Sequence, residues 1–158
     1  MEKIESFKIN HDKLEPGMYI SRIDGDVVTY DLRMKKPNGG NYIESATAHT
    51  LEHLLATLAR NSDIAKEVVY VGPMGCRTGF YILIRDSVLP SVALDYIREW
   101  LYYICSHKSE YEQNGIPGAT REECGNYIEH NLGRAIKLAF DMLGVLINWN
   151  EEMMRYPK

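Results

Sequence analysis

Apolar and polar residues alternate or cluster along the chain in patterns that predict both strands and helices. Short apolar runs bounded by glycine, proline or aspartate are typical of strands. Such runs fall at 19–22, 27–34, 68–71 and 80–85. Asp24-Gly25-Asp26 separates the first two runs and predicts a hairpin turn.

Longer segments with apolar residues at helical spacing predict three helices. Their predicted bounds are 43–61, 91–107, and 131 onward for five to seven turns. Asn131 is a favourable N-cap residue for the last of them. Segments 37–40 and 108–122 contain glycine and proline without apolar periodicity, which predicts loops.

Several strands with intervening long helices, and a hairpin near the start, indicate the α+β class. We expect a mostly antiparallel sheet with helices packed on one face. The chain has 158 residues and shows no repeat or long linker, so a single domain spanning 1–158 is predicted.

Net charge, apolar runs and cysteine content argue against several classes of function. A formal net charge of -4 argues against nucleic-acid or membrane-surface binding, because both favour concentrated positive charge. There is no apolar run of about 20 residues and no apolar leader at the start, so we expect a cytosolic protein. Three cysteines are too few for a disulfide framework, which leaves metal binding or catalysis for an exposed thiol.

The sequence H-T-L-E-H at 49–53 contains the main candidate metal site. His49 and His53 are four residues apart, so in a helix both imidazoles can reach one ion. On a helical wheel the leucines around Leu51 form one apolar face, and the two histidines lie about 160° and 200° from Leu51. Glu52 lies beside the pair and could move protons. The same H-x-x-E-H pattern occurs in inverted zinc peptidases.

A catalytic zinc site normally has three protein ligands and one open position, so a third ligand is needed. The candidates follow in the loop before the last helix: Glu122, Glu123, Cys124 and Glu129. A thiolate binds zinc or ferrous iron well, which favours Cys124 modestly. A carboxylate ligand would favour a peptidase, whereas Cys76 as a fourth ligand would give a closed structural zinc site. We interpret His107 and His130 as structural.

A second candidate for chemistry is Cys76, which lies in G-P-M-G-C-R-T-G at 72–79. Flanking glycines allow close approach of a ligand, and the neighbouring Arg77 could help to hold a thiolate. Cys105 lies among apolar residues of a predicted helix and is interpreted as a packing residue.

Taken together, these segments resemble the LuxS family of S-ribosylhomocysteine lyases over nearly the whole chain. The strongest matches are H-T-L-E-H-L-L-A at 49–56 and P-M-G-C-R-T-G-F-Y at 73–81. Supporting matches are S-F at 6–7 with His11, T-Y-D-L-R at 29–33 with P-N at 37–38, and C-G at 124–125 with His130.

The resemblance implies a role for each matching residue. The implied metal ligands are His49, His53 and Cys124; the implied proton carriers are Cys76 and Glu52; the implied substrate-pocket residues are Ser6, His11 and Arg33. It also implies one divalent metal per subunit, typically ferrous iron with zinc or cobalt able to substitute. The implied assembly is a homodimer with active sites at the subunit interface.

The implied reaction is metal-assisted carbonyl migration along the ribose followed by β-elimination, which releases homocysteine. The other product is 4,5-dihydroxy-2,3-pentanedione, the precursor of autoinducer-2 signals. Proton transfers suffice for these steps, in agreement with the lack of a dinucleotide fingerprint in the sequence. The chain departs from the commoner family pattern at residues 15–20, at 69–72, and at Glu123 and Asn126. We interpret these departures as marks of a divergent branch with the same activity.

Overall fold

The computed structural model of the chain describes residues 2–4 and 7–157. Within these residues, four strands form one antiparallel sheet in the order β1-β2-β4-β3. The strands are β1 Gly17–Asp24, β2 Val27–Arg33, β3 Val68–Pro73 and β4 Gly79–Arg85. β1 and β2 form the predicted hairpin, and Gly25 takes φ +61° in the turn between them.

Four α-helices and a 3₁₀ helix accompany the sheet in the described part of the chain. They are α1 Ser45–Arg60, α2 Pro90–Ser106, α3 Lys108–Asn114, α4 Leu132–Leu146 and the 3₁₀ helix Glu151–Met154. The α+β class with a mostly antiparallel sheet is therefore confirmed. No helix in the described residues is both long and apolar enough to cross a bilayer.

The prediction of a loop over 108–122 is wrong for its first part, where α3 forms. Tyr111 is the one residue of this helix that is buried, so the sequence carries no apolar repeat there. Gly115 ends α3 with φ +85°, a backbone conformation that favours glycine.

The predicted length of the last helix is also wrong, because α4 has 15 residues, or about four turns. Its start is as expected, since the Asn131 side chain accepts a hydrogen bond from the Arg134 amide. At its end, one guanidinium nitrogen of Arg98 donates to the carbonyl oxygens of Leu146 and Trp149, both at 2.6 Å. These bonds occupy terminal carbonyls and turn the chain back toward the sheet.

The two faces of the sheet differ in character. One face packs against the helices, and its central residues from β2 are Val28, Tyr30 and Leu32. The leucines of α1 that meet this layer, Leu51, Leu54 and Leu55, are fully buried. Each such side chain contributes roughly 1.5–3 kcal/mol through burial. The opposite face, which we call the polar face, contains buried Thr29, Asp31 and Arg33 from the same strand.

The C-terminal segment, residues 149–156, folds over the β1 end of the polar face. Trp149 donates a hydrogen bond from Nε1 to the Met18 carbonyl oxygen at 2.8 Å. Its ring occupies the space that a Cβ on Gly17 would need, so glycine is required there. Tyr156 stacks on Tyr19 with ring centroids 5.2 Å apart.

Candidate metal centre and catalytic thiol

Helix α1 presents His49 and His53 on the side opposite its buried leucines. Both histidines are half-buried, as the helical wheel predicts. Their rings meet edge to face with centroids 4.7 Å apart, so the two imidazoles approach one common region of space.

Both histidine rings are oriented by hydrogen bonds to carbonyl oxygens of the loop between α3 and α4. Nδ1 of His49 lies 2.9 Å from the Glu129 carbonyl oxygen, and Nδ1 of His53 lies 2.7 Å from the Pro117 carbonyl oxygen. A carbonyl oxygen only accepts, so each Nδ1 carries the proton and each Nε2 keeps a free lone pair. This arrangement is typical of metal-binding histidines.

Cys124 lies in the same loop and completes the predicted set of ligands. Its Sγ is 3.3 Å from Nε2 of His49. The Cys124 amide donates to the Thr120 carbonyl oxygen at 3.0 Å, and the Asn126 amide approaches the sulfur at 3.4 Å. The loop backbone therefore holds the thiol toward α1.

Two of the acidic candidates for a third ligand, Glu123 and Glu129, have other hydrogen-bond partners. The Glu123 carboxylate accepts a hydrogen bond from the Thr120 hydroxyl at 2.8 Å, and the Glu129 carboxylate accepts one from the side-chain amide nitrogen of Asn126 at 2.7 Å. Among the described residues, no carboxylate belongs to the cluster whose ligand atoms lie within 4.8 Å of one another. The geometry thus favours the thiol over the acids.

His130 is a fourth member of this cluster. The sequence analysis interpreted it as a structural residue and did not predict this position. Its ring stacks on His49 with centroids 4.2 Å apart. The Thr50 hydroxyl donates to the Ala46 carbonyl, so it accepts from Nδ1 of His130 at 3.1 Å. Nε2 of His130 is buried without a hydrogen-bond partner among the described residues. Burial, and next the neighbouring His49 and His53, lower the pKa of His130.

The donors of this cluster fit one divalent metal ion. Imidazole nitrogens and a thiolate are ligands of zinc and of other first-row divalent metals. The buried, unpartnered Nε2 of His130 is an independent sign that a positive centre belongs here, because a buried polar atom without a partner is costly.

Cys76 lies apart from this cluster, in the turn between β3 and β4. The Met74 amide donates to the Gly79 carbonyl oxygen and the Arg77 amide to the Met74 carbonyl oxygen, both at 2.9 Å. Arg77 takes φ +58° in this turn. The turn leaves Cys76 exposed, with its Sγ 3.0 Å from the Thr78 hydroxyl.

The guanidinium that contacts the Cys76 thiol belongs to Arg33, whereas the sequence suggested the neighbouring Arg77. Nη1 of Arg33 lies 3.8 Å from Sγ of Cys76 and donates to the Thr78 hydroxyl at 2.6 Å. The Arg77 guanidinium instead lies over the Tyr42 ring, 5.8 Å from its centroid. Strand register explains the difference, because Arg33 pairs directly with Gly79 at the end of the turn.

The remaining predicted residues lie in different parts of the chain. Glu52 is half-buried on α1, one residue before His53. His11 precedes β1, and its Nδ1 lies 3.0 Å from the Ile9 carbonyl oxygen. Ser6 lies outside the described residues. Cys105 is half-buried against α4, where burial raises the pKa of its thiol, in agreement with a packing role.

The fold and site define a small α+β protein with a histidine–cysteine metal-binding cluster and a separate exposed thiol. The chain belongs to the LuxS family: the family model described as S-Ribosylhomocysteinase (LuxS) matches residues 4–153. The chain is 46% identical to the S-ribosylhomocysteine lyase of Borreliella afzelii, over 99% of this chain and 100% of that protein. It is 42% identical to that of Clostridium acetobutylicum over 100% of both chains, and 39% identical to that of Porphyromonas gingivalis over 99% of both.

Proposed function

We propose that this chain is an S-ribosylhomocysteine lyase. The observation that carries the proposal is the pairing of a histidine–cysteine cluster with an exposed thiol beside a buried guanidinium. The full-length relatives with that name support the same substrate. The reaction releases homocysteine and 4,5-dihydroxy-2,3-pentanedione, and the atoms of these two products sum to those of the substrate.

We assign metal binding to His49, His53 and Cys124, where a bound divalent ion would supply Lewis-acid polarisation of the substrate carbonyl. Ferrous iron is the proposed metal in the cell, and zinc or cobalt can replace it. The two fixed Nδ1 hydrogen bonds keep both imidazoles oriented toward this centre.

The proton transfers are assigned to Cys76 and Glu52. Cys76, as a thiolate, removes the carbon-bound proton next to the carbonyl, and Nη1 of Arg33 lies 3.8 Å from its sulfur. Glu52 moves protons among the ribose oxygens and then removes the proton whose loss expels the homocysteine thiolate. The steps are proton transfers and one β-elimination of a thiolate, none of which adds or removes electrons overall, so no redox cofactor is required.

Substrate positioning is assigned to Ser6, His11 and Arg33, in line with the family resemblance. For Arg33 the proposal is narrower. The side chain is 1% exposed and contacts the Cys76 thiol, so we assign its guanidinium to holding that thiol beside the substrate.

We further propose a cytosolic homodimer in which each active site combines residues of two subunits. The supporting observation is the separation of the two groups of residues. The metal-binding cluster belongs to α1 and the loop before α4, whereas Cys76 contacts the buried arginine of the polar face. A partner subunit that places its cluster against this turn would bring the thiol and the metal to one substrate.

The lyase proposal is tested with anaerobically purified, metal-loaded protein incubated with S-ribosylhomocysteine, while free thiol is followed with a chromogenic reagent. We expect release of homocysteine by the wild type and by the matched control Cys105→Ala, and none by Cys76→Ala. No release by a fully metallated wild type would overturn the lyase proposal.

Mixing two inactive variants tests the shared active site. If each site uses the thiol of one subunit and the metal of the other, Cys76→Ala and Cys124→Ala should regain activity when refolded together. The mixed dimer then has one intact site. Persistent inactivity of a mixture shown to contain heterodimers would contradict the shared site and leave the lyase proposal standing.

A structural zinc site is the second candidate, because His130 could supply a fourth protein ligand and close the site. This candidate assigns no role to Cys76. Full metal occupancy together with absence of thiol release would favour it over the lyase.

A further inference from the structure

A chain of hydrogen bonds connects the C-terminal segment to the exposed thiol. The Tyr156 hydroxyl donates to Oδ2 of Asp31 at 2.7 Å. The same oxygen accepts from Nη2 of Arg33 at 2.5 Å. The other terminal nitrogen of Arg33, Nη1, bonds to Thr78 and faces Sγ of Cys76. Tyr156 is thus connected to Cys76 through two buried charged residues.

The ion pair at the centre of this chain uses only part of its capacity. Asp31 is fully buried and Arg33 is 1% exposed. A guanidinium and a carboxylate can form two parallel hydrogen bonds. Here Oδ1 of Asp31 and Nε of Arg33 are both buried without a partner among the described residues. The pair is therefore held through a single oxygen, although a second bond is chemically available to each partner.

The Tyr156 hydroxyl and Arg33 bind the same carboxylate oxygen of Asp31. The Tyr156 ring is fixed by stacking on Tyr19. Without the hydroxyl, Asp31 would be free to turn and bind Arg33 through both oxygens. That movement would draw the guanidinium toward Asp31 and away from Cys76.

We propose that Tyr156 is a positioning residue, which holds Asp31 so that the Arg33 guanidinium faces the Cys76 thiol. The proposal deepens the proposed function, on which its catalytic meaning rests. Tyr156 lies beyond residues 4–153, the part of the chain that the family model matches.

Thr78 holds the Nη1 end of Arg33, whereas among the described residues, apart from Asp31, the other titratable or charged groups around the thiol do not hold the guanidinium. Burial, followed by Asp31, raises the pKa of both Tyr156 and Tyr81, so both phenols remain protonated and Tyr156 remains a donor. Arg22 of β1 also acts on Tyr81 of this face but has its own partner, Asp24, at 2.6 Å. Arg33 is the one positive group with a nitrogen in contact with Cys76 in the described residues.

The test measures the reactivity of Cys76 directly and needs no turnover. Metal-loaded protein is treated with iodoacetamide from about pH 6 to 9, and modification of the peptide containing Cys76 is followed by mass spectrometry. At pH 7 we expect Tyr156→Phe to lower the alkylation rate roughly three- to tenfold and to change its pH dependence, because the Arg33 guanidinium no longer faces the sulfur. The matched control Tyr102→Phe, an exposed tyrosine on α2, should leave both unchanged.

A double-mutant cycle identifies the route of this effect. If Tyr156 acts through Asp31, Tyr156→Phe should have no further effect in an Asp31→Asn background. Circular dichroism and metal content establish that each variant is folded. A folded, metallated Tyr156→Phe protein with the wild-type alkylation profile would overturn the proposal, even if Asp31→Asn failed to fold.

The assay also separates this proposal from the proposed function. A changed alkylation profile in a protein that releases no homocysteine would retain the positioning role and reject the lyase. Normal homocysteine release by the wild type, together with an unchanged alkylation profile in Tyr156→Phe, would retain the lyase and reject the positioning role.

Discussion

Sγ of Cys124 lies 3.3 Å from Nε2 of His49, although 75 residues separate the two in the chain. Nδ1 of His49 is already bonded to a backbone carbonyl, so its free nitrogen and the sulfur face one another at short range. A metal ion that binds both would replace this contact by two coordinate bonds. The contact therefore identifies the thiol as the first ligand to test.

Cys124→Ala should reduce bound metal from about one ion per chain to less than about a tenth of that, because a three-ligand site loses its thiolate. The measurement is metal content by mass spectrometry after dialysis. Glu123→Gln and Cys105→Ala serve as controls and should keep the metal. Retention by Cys124→Ala with loss by Glu123→Gln would instead support a peptidase-like carboxylate ligand.

Gly118→Ala should weaken metal binding by about tenfold or more. Gly118 has φ +69°, and a Cβ there would lie 3.3 Å from Nδ1 of His53, which must then move. Gly115→Ala is the matched control, since its φ is +85° and a Cβ meets nothing within 4 Å. Competition with a chromogenic chelator gives both affinities. Equal weakening in the two variants would show that backbone strain alone is responsible.

Tyr30→Phe should raise the free energy of unfolding by about 1 kcal/mol at pH 7, because the buried Tyr30 hydroxyl has no partner in the described residues. Urea denaturation followed by circular dichroism provides the measurement. Tyr102→Phe, at an exposed position, should have no effect. A clear loss of stability in Tyr30→Phe would mean that the hydroxyl is satisfied after all.

Alkaline pH should destabilise the protein partly through the same residue. Burial, and next Glu151, raises the pKa of Tyr30 to about 12 from an ordinary value of 10.0. As pH rises, the unfolded chain loses the Tyr30 proton before the folded chain does. The stability that depends on this proton is therefore fully present below pH 10 and is lost as pH rises toward 12. The loss is on the order of 2–3 kcal/mol. The free energy of unfolding, measured by denaturation at pH 9 and pH 11, should fall less between the two pH values for Tyr30→Phe than for the wild type.

Arg33→Met should lower the free energy of unfolding by roughly 3 kcal/mol, because it leaves the buried Asp31 carboxylate without its cation. It should also slow alkylation of Cys76. Arg77→Met is the matched control, since the Arg77 guanidinium lies over the Tyr42 ring. Denaturation and alkylation are measured on the same samples. Slower alkylation in Arg77→Met alone would restore the role that the sequence suggested for Arg77.

The sequence predicted the parts of the site that depend on local geometry. His49 and His53 are four residues apart on one helix, so their convergence followed from helical periodicity alone. Residue chemistry favoured Cys124 only modestly over its acidic neighbours, because the choice depends on the path of the loop. His130 was missed for the same reason, since its contacts are with α1 rather than with its own neighbours.

The fold shows the same division between local and distant determinants. The strands and the hairpin followed from apolar runs and turn residues, whereas α3 has too few buried residues to produce a pattern. The end of α4 depends on Arg98 from another helix, which no local signal indicates. The contact of Arg33 with Cys76 follows from strand register, which sequence patterns alone did not provide.

Residues 115–131 contain neither strand nor α-helix, yet the carbonyl groups of Pro117 and Glu129 hold the two histidines of α1. Metal bound by α1 and Cys124 would act as a cross-link between this loop and the helical layer, so its removal should loosen the loop before the core unfolds. Arg121 is exposed within the loop and offers trypsin a cleavage site. The rate of tryptic cleavage after Arg121 would thus report, in a protein whose core is intact, how much of the sample holds its metal.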